Sequence, residues 1–517
     1  MLDKEKSEVA SQGARGTLFN IASAAIGKGS GLLFYIVLLR FVTPAEGGIY
    51  FLYIAFATVI GILGAFGMAD SLARFIPFYE GGGRRGKIRP LVATVFLAFL
   101  VFSAILGAAT FFGQGAVARY YSADLASIIY MTYWTGVALS LNSVLTLALF
   151  GFKRFDEVAA WSALQPVLKI GFAGAAFLLL AGGLDAALWA TFLAAMVSNV
   201  GMLVSVAFRL GKFPGRLGIL GKKEIGEIFK YGNAAALNQF SGSLMSYTDT
   251  MVLAYYVAAP VIGAYNAVMN MARSAIQTIS AQIFSVLTSM LSHLHGAKSE
   301  VFGPLASNGA RWSAYITLPI AALSMLFAKE AVELFFPAYA EYYWLMYVLV
   351  PGLLISVVSL PARSALSAIG RTDLLLKSTL IGILPNIALN LLLVPIYGLW
   401  GALAGTTLAY LVSEGLAIYY SMRLAKFSLH AMIANAFAPT MVMFGAGFAS
   451  YRLLFDFSAA GHWAELLGVI LASLLAFLVY FLFLVWLGGL NRTDRHLVDK
   501  TVRAALGMAG LKISLQR

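Results

Sequence analysis

Six ionisable side chains interrupt stretches of sequence that are otherwise almost wholly apolar. Lys28, Lys169 and Arg273 each fall near the middle of such a stretch, Arg311 lies in one half of another, and Asp249 and Glu414 are the main acids in the same setting. A charge held at the centre of a bilayer costs roughly 2.5–3.5 kcal/mol on insertion scales, so such residues turn toward protein or a wet cavity. Cations outnumber acids here. A cavity that gathers them suits an anionic ligand such as a phosphate or pyrophosphate. Lys28 and Arg273 are the foremost candidates. Lys169 ranks after them, because its long stem also allows the ammonium to snorkel toward a surface. The competing reading is a buried ion pair with Asp249 that holds helices together. Asp249 itself reads as either a counter-ion or a coupling-ion site, and Glu414 as structural. Asp70 and Arg74 stand four residues apart and are expected to pair on one helix face. Asn270, Asn386 and Asn390, with Asn238, Gln239, Asn266 and Gln277, supply amides for sugar hydroxyls or for bonds between helices. Asn386 and Asn390 share a face.

Other chemistry is excluded by what is missing. The chain has no cysteine, and no P-loop, H-E-x-x-H or G-x-S-x-G motif. His293 and His295 fall at a predicted turn, and the other histidines near helix ends. No catalytic residue, metal site or cofactor is expected, and the protein is not expected to be an enzyme.

The elements that position these residues follow from composition. Of 517 residues, 60% are hydrophobic and 11% charged, far below the roughly 25% charged of soluble domains. About 20 apolar residues cross a bilayer as a helix. Fourteen such runs occur, near 17–40, 47–76, 90–113, 125–150, 158–181, 185–208, 230–257, 262–290, 304–327, 340–369, 374–394, 398–420, 431–451 and 464–489. The fold class is therefore an all-α integral membrane protein. The first run is too long for a signal peptide and is read as a retained helix. Of the 36 Lys and Arg residues, 26 fall in segments on one side of this arrangement and 3 in loops on the other. The positive-inside rule then places both termini in the cytoplasm. It also accounts for the net charge of +13 without nucleic acid.

The chain repeats itself. Gly151, Pro166, Arg209, Leu210, Lys212 and Phe213 are echoed by Gly370, Pro385, Arg423, Leu424, Lys426 and Phe427, and Pro44 and Gly47 by Pro260 and Gly263. Helices 1–6 thus match helices 7–12, as two six-helix lobes related by a pseudo-twofold axis along the membrane normal, and two helices are left over. The expected parts are an N-tail (1–16), an N-lobe (17–208), a basic linker (209–229), a C-lobe (230–427), helices 13–14 (428–489) and a C-tail (490–517). The linker suits anionic headgroups of membrane lipids. In the C-tail, Leu497, Val498, Val502 and Leu506 stand opposite Arg495, Lys500 and Arg503, the spacing of an interfacial helix.

Two segments carry a family resemblance. TPAEGGIYFL (43–52) followed by GMADSLARFIPFYEGG (67–82), and GRTDLLLKSTLIGILPNIALNLLLVPIYGLWGALAGT (370–406), resemble the polysaccharide-type flippases of the multidrug/oligosaccharidyl-lipid/polysaccharide exporter superfamily. The resemblance implies a V-shaped cavity between rocking lobes in a prokaryotic cell membrane. It implies a lipid-linked oligosaccharide as substrate, with glycan polymerase or glycosyltransferases as further partners. Related lipid II flippases place cations on helices 1, 2 and 8 around the diphosphate. Lys28 and Arg273 match helices 1 and 8, while helix 2 has no mid-membrane cation. Helices 13–14 are implied to line a groove for the lipid tail. The alternatives are a cation-coupled multidrug exporter of the same superfamily, dependent on Asp249 or Asp70, and a non-transporting scaffold of a glycan assembly complex.

Overall fold

Proline, glycine and capping residues mark where the long helices start and break. In the second membrane helix, Thr43 accepts a hydrogen bond from the Glu46 amide, and the Glu46 carboxylate accepts one from the Thr43 amide at 2.8 Å. With Pro44 at the first helical position, this capping box fixes the entry of the helix. The same helix breaks at Phe66 and Gly67, both at positive φ (42° and 63°). A Cβ on Gly67 would lie 1.9 Å from the Gly232 carbonyl oxygen, so only glycine permits this contact.

The computed structural model describes residues 27, 29–120, 128–180, 182–216, 218–296, 302–425, 427, 430–454 and 461–486. The described residues are all-helical, and their long helices fall into fourteen units in chain order. They are α1 (Gly29–Phe41), α2a (Pro44–Ala65) and α2b (Met68–Gly81), α3 (Ile88–Tyr120), α4 (Ile129–Gly151), α5 (Phe155–Leu180), α6 (Leu184–Leu210), α7 (Lys222–Tyr256), α8 (Ala259–Gly296), α9 (Phe302–Leu326), α10a (Leu345–Val358) and α10b (Leu360–Ala368), α11 (Thr372–Tyr397), α12 (Leu399–Leu424), α13 (His430–Leu454) and α14 (His462–Trp486). Nine described helices are long and apolar enough to cross a membrane. Lys28 and the C-tail lie outside the described residues.

The two six-helix lobes meet through small residues, which bring backbones close where lipid supplies no hydrophobic drive. A Cβ on Gly48 would lie 1.9 Å from the Ala259 carbonyl oxygen. Between α9 and α10 a strap not foreseen in the sequence, Ala328–Phe335 and Pro337–Tyr342, crosses this seam. Its Tyr339 is 2% exposed, and its hydroxyl donates to Pro44 O at 3.1 Å. Arg40 donates to Leu334 O of the strap at 2.8 Å. At the opposite, basic face the linker is docked rather than loose. Arg89 donates to Leu210 O, Gly211 O and Gly215 O, the Thr94 hydroxyl accepts from the Leu220 amide, and Lys87 pairs with Glu224. The Lys87 hydrogen bond holds the Glu224 carboxyl below the usual carboxylate range.

Candidate functional site

Asp249 sits on α7 at 1% exposure. Its carboxylate accepts hydrogen bonds from Tyr265 Oη (2.8 Å), Asn386 Nδ2 (3.1 Å), Asn390 Nδ2 (2.8 Å) and the Thr406 hydroxyl. Four elements build this cage: α7, α8, α11 and α12. Asn386 and Asn390 project together because they are one turn apart on α11, beyond the internal Pro385. Thr406 reaches in because Gly405 lets α12 close on α11; a Cβ there would lie 2.9 Å from Asn390 Nδ2. The competing reading's ion pair between Asp249 and a cation is not formed among the described residues. Neutral donors satisfy the carboxylate instead, which is the other way to bury a charge. Both asparagines are 0% exposed, so in this conformation their amides serve Asp249 and not a sugar. Their Oδ1 atoms are buried without a hydrogen-bond partner.

The cations are placed differently. Lys169 projects from α5, and its Nζ lies 3.9 Å from the centroid of Phe34, 5.4 Å from Tyr50 and 5.7 Å from Tyr35. Arg273, on α8 of the other lobe, lies near the phenols of Tyr410, Tyr265 and Tyr247. It also lies near Tyr35 on α1. Tyr35 therefore stands between a cation of each lobe. Neither Lys169 nor Arg273 has a carboxylate within 4.0 Å among the described residues. Aromatic faces and phenol oxygens hold them, an arrangement that stabilises positive charge while leaving it uncompensated.

The remaining candidates resolve into local roles. Asn270 is half-buried and donates to Asn266 O at 2.8 Å. Glu414, 6% exposed, pairs with Arg363 at 3.3 Å and accepts from Ser359. The expected Asp70–Arg74 pair is absent. Asp70 accepts from Gln239 at 3.2 Å, and Arg74 lies over the Tyr231 ring at 4.4 Å. The break at Gly67 brings α7 against α2b, and α7 offers each of them a nearer partner. Sequence reasoning missed Tyr35, Tyr265, Tyr410 and Thr406. Their signal was the recurrence of hydroxyl-bearing residues inside apolar runs.

An apolar cavity of about 450 Å³ adjoins this region. It runs among α1, α8, α9, the strap and α14, with Leu32, Met271, Phe327, Phe335 and Val469 in its walls. A second cavity of about 200 Å³ shares Ala331, Phe335 and Val469 as walls and is lined also by Glu330, Glu333 and Glu465. Burial first, then the nearby Glu465 and Glu333, pushes the Glu330 carboxyl up.

Two repeated six-helix lobes and an added helix pair, with charged groups buried inside each lobe, define a polytopic membrane protein. The chain belongs to the polysaccharide biosynthesis protein family, which matches residues 14–295. The MatE family matches residues 234–392. A probable low-salt glycan biosynthesis flippase, Agl15 of Haloferax volcanii, is 24% identical over 384 residues, 73% of this chain and 76% of its own length. An uncharacterized membrane protein of Methanocaldococcus jannaschii, MJ1068, is 22% identical over 400 residues, 73% of this chain and 78% of its own length. Among solved structures, the lipid II flippase MurJ in an inward closed conformation superposes with a TM-score of 0.71 at 15% identity, over 90% of this chain and 97% of that one. An inward-facing multidrug resistance MATE transporter gives 0.63 at 15% identity, over 81% and 96%. At these identities the likeness establishes the fold.

Proposed function

We propose that the protein is a flippase that carries a lipid-linked oligosaccharide, on a polyprenyl phosphate or diphosphate, from the inner to the outer leaflet by alternating access. The observation that carries this reading is the convergence of Lys169 and Arg273, one from each lobe, on Tyr35 with no carboxylate partner among the described residues. Family membership and the glycan flippase relative support it. Spontaneous flipping is slow because the polar head must shed water to enter hydrocarbon. Here the anionic head exchanges water for the Lys169 ammonium and the Arg273 guanidinium; Lys28, which precedes α1 in the sequence, is proposed as a third cation. The polyprenyl chain stays in lipid, with the apolar groove beside α14 open to its first units. The basic face is the cytoplasmic one in this account, so the head enters there. Rocking of the lobes about the glycine seam then exposes it to the far side.

The Asp249 cage fits a coupling-ion site in this account. Rotation of the two amides would turn Asn386 Oδ1 and Asn390 Oδ1 toward the carboxylate. With the Thr406 hydroxyl, that makes an all-oxygen set of the kind hard cations such as Na⁺ take. The same cage, with the MatE match, favours a cation-coupled multidrug exporter as the second reading.

The test is reconstitution in proteoliposomes with a fluorescent lipid-linked oligosaccharide and a leaflet-accessibility assay. Lys169→Ala and Arg273→Ala should each slow translocation at least tenfold while membrane insertion is unchanged. Normal translocation in both, or Asp249-dependent drug efflux with no glycolipid movement, would replace this reading with the exporter.

A further inference from the structure

Five cations of the basic face are neutralised locally: Arg85 by Glu80, Lys87 by Glu224, Arg154 by Asp156 and Glu157, Arg209 by Glu157, and Arg371 by Asp373. Arg89 is taken up by three backbone carbonyls. Lys212 and Arg423 lie over the rings of Phe208 and Tyr419, but Arg74 and Arg84 differ in sharing one row of rings. Both are exposed, and neither has a carboxylate within 4.0 Å among the described residues. Each guanidinium lies over aromatic rings instead. Arg74 is 4.4 Å from the centroid of Tyr231 and 5.5 Å from Phe75; Arg84 is 4.9 Å from Phe78 and 5.2 Å from Tyr79.

The rings are continuous. Phe75 is 6.1 Å from Tyr231, 6.2 Å from Phe78 and 6.0 Å from Tyr79. A guanidinium thus stands at either end of one aromatic row, at the seam where α2b of the first lobe meets α7 of the second. The acids nearest in sequence are already engaged: Asp70 accepts from Gln239, and Glu80 pairs with Arg85; Glu224 of α7 accepts from Lys87. A ring beneath a guanidinium fixes its plane and leaves its hydrogen-bonding edge free, the geometry for bidentate contact with a phosphate. Phe78 is 55% exposed, an unusual position for a phenyl ring among so many charges. It offers an apolar face to the CH groups of a sugar.

We infer that Arg74 and Arg84, with Phe78 and Tyr231, form a capture site for the phosphate-bearing sugar head before it reaches Lys169 and Arg273. This deepens the flippase reading and rests on it. A capture site sets how much substrate half-saturates the protein, whereas the central cations set how fast the bound head crosses. That difference separates the two claims.

The experiment uses the full chain in phosphatidylcholine proteoliposomes with the fluorescent lipid-linked oligosaccharide, and in phosphatidylcholine nanodiscs with radiolabelled farnesyl diphosphate. Arg74→Gln and Arg84→Gln should each raise the half-saturating substrate concentration about fivefold with the maximal rate kept, and should weaken farnesyl diphosphate binding to a similar degree. Arg74→Lys should rescue only part of the loss, because an ammonium keeps the charge without the planar fork. Tyr231→Leu should shift half-saturation about threefold. Arg273→Ala should lower the maximal rate instead; if it is silent while Arg74→Gln shifts half-saturation, the central site fails and the capture site stands. Unchanged half-saturation and unchanged farnesyl diphosphate binding in both glutamine variants would overturn the inference. So would loss of co-purified phosphatidylglycerol from Arg74→Gln in mixed-lipid discs with farnesyl diphosphate binding intact, which would assign the site to lipid headgroups. Should Arg74→Gln fail to insert, Arg84→Gln carries the same readout.

Discussion

The two lobes share a scaffold, yet among the described residues only the C-lobe builds a cage of neutral donors around a buried carboxylate. Pro166 and Pro385 fall inside equivalent helices, α5 and α11, at an offset of 219 residues. At that offset Val167 and Gly171 stand where α11 has Asn386 and Asn390, and Lys169 stands where it has Ala388. The C-lobe buries a carboxylate and surrounds it with amides and hydroxyls. The N-lobe holds an ammonium over the rings of Phe34, Tyr35 and Tyr50. Repetition has thus kept the residues that shape helices and let the residues that do chemistry diverge. In a bilayer, a helix bend depends on its own proline, whereas a buried charge depends on what the neighbouring helices offer it.

The sharpest way to break this comparison is to remove each charge. Asp249→Leu strands four donors in the protein interior and should destabilise the fold by about 3–5 kcal/mol, the range for breaking a buried charge network. Lys169→Leu abandons no hydrogen-bond partner, so its stability should change by less than about 1 kcal/mol although translocation is lost. Thermal unfolding in detergent beside the flipping assay checks both; equal destabilisation would mean that Lys169 has a structural partner of its own. A smaller effect tests the cage as an ion site. Saturation to ten times Kd stabilises a binding-competent fold by about 1.4 kcal/mol, so NaCl should raise the wild-type Tm over choline chloride. Asp249→Asn should abolish that difference and Lys169→Met should keep it. Tyr339→Phe should cost about 0.5–1.5 kcal/mol, the worth of one hydrogen bond, and speed exchange of the Pro44 end of α2a. The smallest effect concerns Lys87 and Glu224. Because the folded carboxyl lies below its ordinary value, this tie is intact above the unfolded pKa and is lost as pH falls through the folded one. Proteolysis of the 211–221 linker should rise on acidification in the wild type and be independent of pH in Lys87→Gln.

Much of the architecture was legible in the chain. Apolar runs marked the helices, and the echoed glycines and prolines marked the lobes, because length and periodicity are local properties. The break at Phe66–Gly67 was not legible. It answers to a packing partner far away in sequence, Gly232. The same reason hid the Asp249 cage, whose donors on α11 and α12 lie 137 to 157 residues further on. Asp249, Lys169 and Arg273 could be singled out individually because a charge inside an apolar run is conspicuous. Tyr35 and Tyr265 could not, since a tyrosine in a membrane helix is unremarkable until its neighbours are known.

The central claim is that Lys169 and Arg273 act on one anionic head. A double-mutant cycle on translocation rate, with Lys169→Ala, Arg273→Ala and the pair, tests it most directly. If both cations grip the same group, the double variant should be no slower than the slower single one. Losses that multiply, or normal rates in either single variant, would contradict a shared site.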